Sequence, residues 1–215
     1  MAYDVVIFDL DGTLLDTLDD LMDSCNYALS TIGAPPRTLA EIRRFVGNGI
    51  RNLMLQAVPD GEDNPQFEQA YETMQTWYKA HNQIKTAPYP GVQRLIRTLK
   101  QQGVPMAVVS NKPDASVQML VEQWFPEITF GLGEREGLRR KPERDMVDYA
   151  IAQLGQTGKK TVYVGDSEVD LTTAANAGLD CISVTWGFRD RALLVERGAK
   201  QFADTAEELL QLIRG

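Results

Sequence analysis

Apolar residues along the 215-residue chain keep two different rhythms. A short uninterrupted run at residues 5–8 comes first, and β-branched and aromatic residues in such a run suit a strand buried on both faces of a parallel sheet. From about residue 16 to residue 85 the spacing is helical. Leu18, Leu21, Met22, Cys25, Leu29 and Ile32 form one stripe, which Gly33 and Pro35-Pro36 end. Thr38 and Glu41 make a capping-box pattern for a short helix reaching Phe45. A break at Val46-Gly47-Asn48-Gly49 precedes a helical stretch over residues 50–57. After a turn-prone segment at 59–64, Pro65 suits a first helical position, and Phe67, Ala70, Tyr71, Met74, Tyr78 and His81 carry the next stripe.

Beyond Ala87-Pro88-Tyr89-Pro90-Gly91, read as a linker, helix and strand alternate. Apolar runs predict strands at 106–109, 128–130, 161–164, 181–184 and 201–203. Helical stripes lie between them, and Thr205 with Glu208 forms a capping box for the last helix. Strands spaced by helices imply right-handed crossovers and a parallel sheet. The expected fold is therefore α/β: a Rossmann-like parallel-sheet core from residues 1–15 and 88–215, with an all-α domain, residues 16–87, inserted after the first strand.

Composition narrows the function. A hydrophobic fraction of 43% and a charged fraction of 24% are ordinary for a globular protein. No apolar run approaches the roughly 20 residues of a membrane span and no basic segment precedes a signal core, so a cytoplasmic location is the expectation. Cys25 and Cys181 stand alone, which suits reduced thiols rather than a disulfide or zinc site. The net charge of −8 argues against nucleic acid or an anionic membrane as the main partner. His81 is the single histidine, which disfavours histidine-based mechanisms. Nothing marks an oligomeric state.

Ligands of an open parallel sheet bind beyond the carboxyl ends of its strands, and the polar clusters of this chain fall there. Asp9 and Asp11 follow the first strand, two apart and so aimed to one side, although Asp-Gly is also a common turn pair. Ser110-Asn111 follows the second strand, where a hydroxyl, an amide and the backbone N–H groups of a following helix could cradle a phosphate. Lys141-Pro142, placed at the start of a helix, offers a point charge. Asp166 and Asp170 share a face if a helix starts there, and paired acids without thiolates or a histidine cluster suit a hard cation such as Mg²⁺.

Taken together, Asp9-x-Asp11-x-Thr13, Ser110-Asn111, Lys141-Pro142 and Gly165-Asp166-Ser167-x-x-Asp170 resemble the four motifs of the haloacid dehalogenase-like superfamily, in order and over almost the whole chain. The resemblance extends to an all-helical cap inserted after the first motif. It implies that Asp9 is a nucleophile forming an aspartyl-phosphate and that Asp11 is the acid and base. Thr13, Ser110, Asn111 and Lys141 would bind phosphate. Mg²⁺ would be held by Asp9, the Asp11 carbonyl and Asp166, with Asp170 supporting directly or through water. The cap would lift and close about hinges near 14–17 and 85–90.

Within the superfamily, Asp11 argues against dehalogenases, which need no proton donor for an alkoxide. Phe45-Val46-Gly47-Asn48-Gly49 and Thr185-Trp186-Gly187-Phe188-Arg189 are similar to segments of phosphoglycolate phosphatases. Gly47, Asn48, Gly49 and Arg51 would then read the substrate, with Arg51 pairing a carboxylate. Lys141-Pro142-Glu143-Arg144 departs from the Lys-Pro-x-Pro common there. The expected activity is Mg²⁺-dependent hydrolysis of a small phosphorylated metabolite. A sugar-phosphate mutase, a pyrophosphatase and a non-catalytic phosphate-binding protein stay open.

Overall fold

The computed structural model describes all residues, Met1–Gly215. The chain forms two compact units, one of Met1–Leu15 with Pro88–Gly215 and one of Asp16–Ala87. The first strand, β1 (Val5–Phe8), is buried along its whole length. After the turn at Gly12 come β2 (Leu15–Asp16) and the helical unit, and β3 (Ala87–Pro88) pairs with β2 in a two-residue ribbon. The linker expected at residues 87–91 thus begins as a strand.

The helical unit consists of α1 (Leu18–Thr31), α2 (Leu39–Phe45), α3 (Gly49–Ala57) and α4 (Phe67–His81), with α1 packed on α4 and α2, and α3 on α4. Thr38 caps α2 reciprocally: Thr38 N donates to Glu41 Oε2 at 2.8 Å and Glu41 N to Thr38 Oγ1 at 3.3 Å. Pro65 does not open α4. Asn64 captures Gln66 N with its side-chain oxygen at 2.9 Å, making a turn that delays the helix to Phe67.

Asp20, near the start of α1, is 2% exposed. Its carboxylate accepts hydrogen bonds from Lys85 N at 3.0 Å, Thr86 N at 2.9 Å, Thr86 Oγ1 at 2.8 Å and Ile84 N at 3.1 Å. One buried acid thus satisfies three successive backbone N–H groups of the segment after α4, groups that would otherwise be orphaned.

The remainder alternates strictly: α5 (Val92–Gln101), β4 (Met106–Pro113), α6 (Asp114–Trp124), β5 (Phe130–Glu134), α7 (Asp145–Gln153), β6 (Thr161–Gly165), α8 (Glu168–Ala177), β7 (Asp180–Val184), α9 (Arg191–Glu196), β8 (Gln201–Ala203) and α10 (Ala206–Arg214). Six strands form one sheet in the order β5-β4-β1-β6-β7-β8, each pair parallel. The period-two alternation of β1 sorts its residues between two cores. Val6 and Phe8 join α5, α6 and α10 residues such as Ile96, Leu120 and Leu209 on one face. Val5 and Ile7 join Met146, Val147 and Ala174 of α7 and α8 on the other. Since β4 and β6 flank β1 and the chain runs outward from each, the winding reverses beside β1, where a crevice opens at the strand ends.

Three further features differ from the sequence pattern. The strand expected at 128–130 occupies Phe130–Glu134 instead, because Ile128 N closes a turn on Phe125 O at 2.9 Å. Its glycines hide the strand pattern but fit tight packing: a Cβ on Gly133 would lie 2.4 Å from Asp114 Cα. β4 outruns its apolar run, carrying Ser110, Asn111 and Lys112 in extended backbone before α6 begins. At α10 Thr205 accepts from Glu208 N at 3.2 Å, but the Glu208 carboxylate accepts from Asp204 N at 2.8 Å instead of Thr205 N, so the box is displaced by one residue.

The Asp20 cluster yields a stability prediction. Asp20→Ala removes one buried charged acceptor and strands three N–H groups, and is expected to destabilise the protein by at least about 1.5–3 kcal/mol. A urea titration reads this as a lowered midpoint; an unchanged midpoint would contradict the accounting.

Candidate active site

Three neighbouring strand ends build the site. Asp9 leaves β1, Asp166 leaves β6, and Lys112 stands near the end of β4. Asp9, Asp166 and Asp170 offer carboxylate oxygens within 4.8 Å of one another, and all three are buried. Lys141 comes between two of them. Its Nζ lies 2.8 Å from Asp9 Oδ1 and 2.9 Å from Asp170 Oδ1, and it donates to Tyr163 Oη at 3.0 Å.

Asp170 is the saturated member. One oxygen takes Lys141, and the other accepts from Ser167 Oγ at 2.6 Å, Ser167 N at 3.0 Å and Asp166 N at 3.2 Å. Burial opposes its ionisation, but Lys141 and the Ser167 donors overturn that and hold its carboxyl below the usual range. Asp9 and Asp166 lean the other way. Burial, then the charge of Asp170, pushes Asp9 well up despite Lys141, and the same two causes push Asp166 up to about 7. Lys141 is buried too, yet the charges of Asp170 and Asp9 keep it firmly protonated.

Asp166 is aimed by its surroundings. Phe188 N donates to its Oδ2 at 2.7 Å and Thr13 Oγ1 to its Oδ1 at 3.2 Å. Backbone crowds it as well, since a Cβ on Gly12 would sit 2.4 Å from Asp166 Oδ2 and one on Gly187 would sit 2.4 Å from Asp166 Cβ. Only glycine permits this approach. The Thr185-Trp186-Gly187-Phe188-Arg189 segment therefore braces the site. Trp186 Nε1 donates to Thr13 O at 3.0 Å and Arg189 Nε to Glu168 Oε2 at 2.8 Å.

Asp9, Asp11, Thr13, Ser110, Asn111, Lys141, Asp166 and Asp170 all lie in the core unit, but several sit differently from the expectation. Ser110 and Asn111, expected just beyond the second strand, lie within β4 itself. Ser110 Oγ accepts from Lys112 N at 3.3 Å, and Asn111 Nδ2 donates to Lys141 O at 3.0 Å, which fixes the lysine loop. Lys141-Pro142 also lies outside a helix, since α7 begins only at Asp145; Asn176 Nδ2 donates to Pro142 O at 2.9 Å in place of a helical bond. Asp166 precedes α8, and only Asp170 is in its first turn. The Thr13 hydroxyl is turned to Asp166.

Within the helical unit, Gly47 and Gly49 have φ of +125° and +78°, and Asn48 stands just before α3 without a side-chain capping bond. Arg51 is clamped rather than presented. Its guanidinium pairs Glu68 at 2.6 Å and Glu62 at 3.1 Å and lies over the Phe67 and Tyr71 rings at 5.0 and 5.1 Å.

Two residues were missed at the sequence level. Lys112, 4% exposed, places Nζ 2.8 Å from Asp11 Oδ1. Tyr163, inside an apolar strand, brings its hydroxyl within 3.3 Å of Asp170 Oδ1 and Val109 O. Lys112 continues a polar triplet at the end of a strand, a legible signal; Tyr163 has no such mark.

The donor set fits a hard cation. It is all oxygen, it converges, and burial together with the charge of Asp170 pushes two of its three acids up, which a cation between them would oppose.

Comparison with known proteins agrees with this architecture. The profile of the haloacid dehalogenase-like hydrolases matches residues 6–184, and the chain belongs to that family. A protein of Pseudomonas putida named phosphoglycolate phosphatase is 34% identical over 194 residues, covering 86% of this chain and 70% of that one. Among solved structures, one from Lactobacillus delbrueckii subsp. bulgaricus, provisionally assigned as a phosphoglycolate phosphatase, superposes with a TM-score of 0.94 at 39% identity, covering 99% of both chains. Another from Haemophilus somnus, titled a predicted phosphoglycolate phosphatase, gives a TM-score of 0.90 at 26% identity, covering 99% of this chain and 98% of that one.

The raised carboxyl of Asp166 has a measurable consequence. A cation must displace its proton whenever the pH lies below about 7, so affinity of the metal-free protein for a divalent cation is expected to fall as pH drops from 7 to 6, with proton release. Calorimetry in two buffers of different ionisation enthalpy counts the protons. Affinity independent of pH over that interval would contradict the assignment.

Proposed function

We propose that this protein is a cytoplasmic, Mg²⁺-dependent phosphatase acting on a small phosphate monoester, with 2-phosphoglycolate as the favoured substrate and residues 16–87 as its cap domain. The observation that carries this reading is the placement of Lys141 Nζ against Asp9 Oδ1 at 2.8 Å with Asp11 two residues further on. A nucleophile, a charge to receive phosphate and an acid then share one strand end. Family membership and the names of the relatives support the same reading.

Asp9 acts as the nucleophile. Its carboxylate oxygen attacks phosphorus, the ester P–O bond breaks, and the departing alkoxide takes a proton from Asp11. Asp11, now ionised, removes a proton from water, whose oxygen attacks the same phosphorus. The P–O bond to Asp9 breaks, and phosphate leaves with both carboxyl groups restored.

Lys141 offsets the repulsion between an anionic nucleophile and a phosphate dianion, an electrostatic role that strengthens as charge builds on the equatorial oxygens. Ser110 and Asn111 complete the phosphate cradle, and Thr13 orients Asp166 beside it. Asp9, the Asp11 carbonyl and Asp166 would hold Mg²⁺, with Asp170 fixing Lys141 and the start of α8 beside them. The bound cation supplies charge neutralisation at the phosphoryl oxygens.

Phosphate release from a panel of 2-phosphoglycolate, pyrophosphate, hexose phosphates and nucleoside monophosphates tests this directly. Release is expected to be fastest with 2-phosphoglycolate, to vanish with EDTA and with Asp9→Asn, and to fall about 10²–10⁴-fold with Asp11→Asn. Full activity of either variant would overturn its assignment, and release from no substrate would reject the phosphatase.

A further inference from the structure

Lys112 takes no part in the steps above, yet it is the second lysine buried in the site. Its side chain is 3% exposed, and its Nζ lies 2.8 Å from Asp11 Oδ1. Burying an ammonium is costly even when it is paired. Orienting Asp11 would need only a neutral donor. A full positive charge beside the group that faces the leaving oxygen points to an anion on the leaving group itself.

We infer that Lys112 is a specificity-determining residue that binds a carboxylate on the leaving-group side of the substrate, one methylene from the bridging oxygen. This rests on the phosphatase reading and deepens it. Asp11 must reach the bridging oxygen to protonate it, and Lys112 touches Asp11. Two successive hydrogen bonds place Nζ within roughly 6 Å of that oxygen. A carboxymethyl group spans this gap, whereas a hexose or a nucleoside brings no charge to it.

The other cations of the core site are engaged elsewhere, Arg189 by Glu168 at 2.8 Å. Asp9, Asp11, Asp166 and Asp170 are acids, and Lys141 is engaged by two of them. Arg51, the cation expected to read a substrate carboxylate, is held by Glu62 and Glu68 in the helical unit. Lys112 is thus the cation positioned for the second anionic group. Its place on β4, two residues after Ser110, ties recognition of the leaving group to the strand that cradles the phosphate.

The test compares wild type with Lys112→Gln, which keeps a donor for Asp11 and removes the charge, and Lys112→Arg, which keeps the charge. Turnover of 2-phosphoglycolate is measured against ethyl phosphate, an ester with no second anion. Lys112→Gln is expected to lower the ratio of the two kcat/KM values at least tenfold, mainly through KM for 2-phosphoglycolate, and Lys112→Arg to restore part of it. Equal losses on both esters would reduce Lys112 to a support for Asp11 and overturn the inference.

Calorimetric binding of both esters to Asp9→Asn, with and without Lys112→Gln, separates the two readings. Preferential binding of 2-phosphoglycolate that depends on Lys112, in a protein whose wild type hydrolyses neither ester, would uphold the role of Lys112 and reject the phosphatase. Binding indifferent to the substitution would reject the role whatever the turnover.

Discussion

One buried ammonium holds the site together. Lys141 sits 2% exposed between Asp9 and Asp170, within 2.9 Å of each. Four acids, Asp9, Asp11, Asp166 and Asp170, crowd the ends of β1 and β6, and two lysines pair with three of them. Burial and the charge of Asp170 raise Asp9 and Asp166, and a divalent cation is a charge that would oppose both. A carboxylate cluster of this kind is unstable without its cations, so its presence in a folded core is itself a statement about chemistry.

The sheet makes the crowding possible. β1 is central, its neighbours β4 and β6 deliver Lys112 and Asp166 to the same edge, and the two cores clamp it from both faces. Glycine at 12, 165 and 187 lets backbone approach the acids to distances that any Cβ would forbid; at Gly165 a Cβ would lie 2.3 Å from Asp170 Cβ. The same constraint gives Tyr163 its purpose. Its ring fills the core while its hydroxyl accepts from Lys141, joining the packing of the sheet to the electrostatics of the site.

Much of this was legible in the sequence, because apolar runs at 5–8 and 161–164 and the helical stripes obey simple periodicities. Three of the four polar motifs could be read for the same reason: each follows a strand that periodicity identifies, whereas Lys141-Pro142 follows the concealed β5. Elements failed where other residues overrode the pattern. Gly131 and Gly133 concealed β5, Asn64 displaced the start of α4, and β4 ran on through polar residues expected beyond its end. Partnerships were less visible than positions. That Arg51 would close on Glu62 and Glu68, that Asn111 would tether the Lys141 loop, and that Lys112 would meet Asp11 across 101 positions depends on packing, which no local spacing encodes.

The central claim is that Asp9 carries the phosphoryl group. The most direct measurement is to mix enzyme, Mg²⁺ and the best substrate, quench in acid within the first turnover, reduce with borohydride and map the peptides by mass spectrometry. An acyl phosphate is reduced to the alcohol, so the account predicts homoserine at position 9 and its absence when substrate is omitted. An unmodified Asp9 in a sample that has released a stoichiometric burst of alcohol, or reduction at another acid, would contradict it.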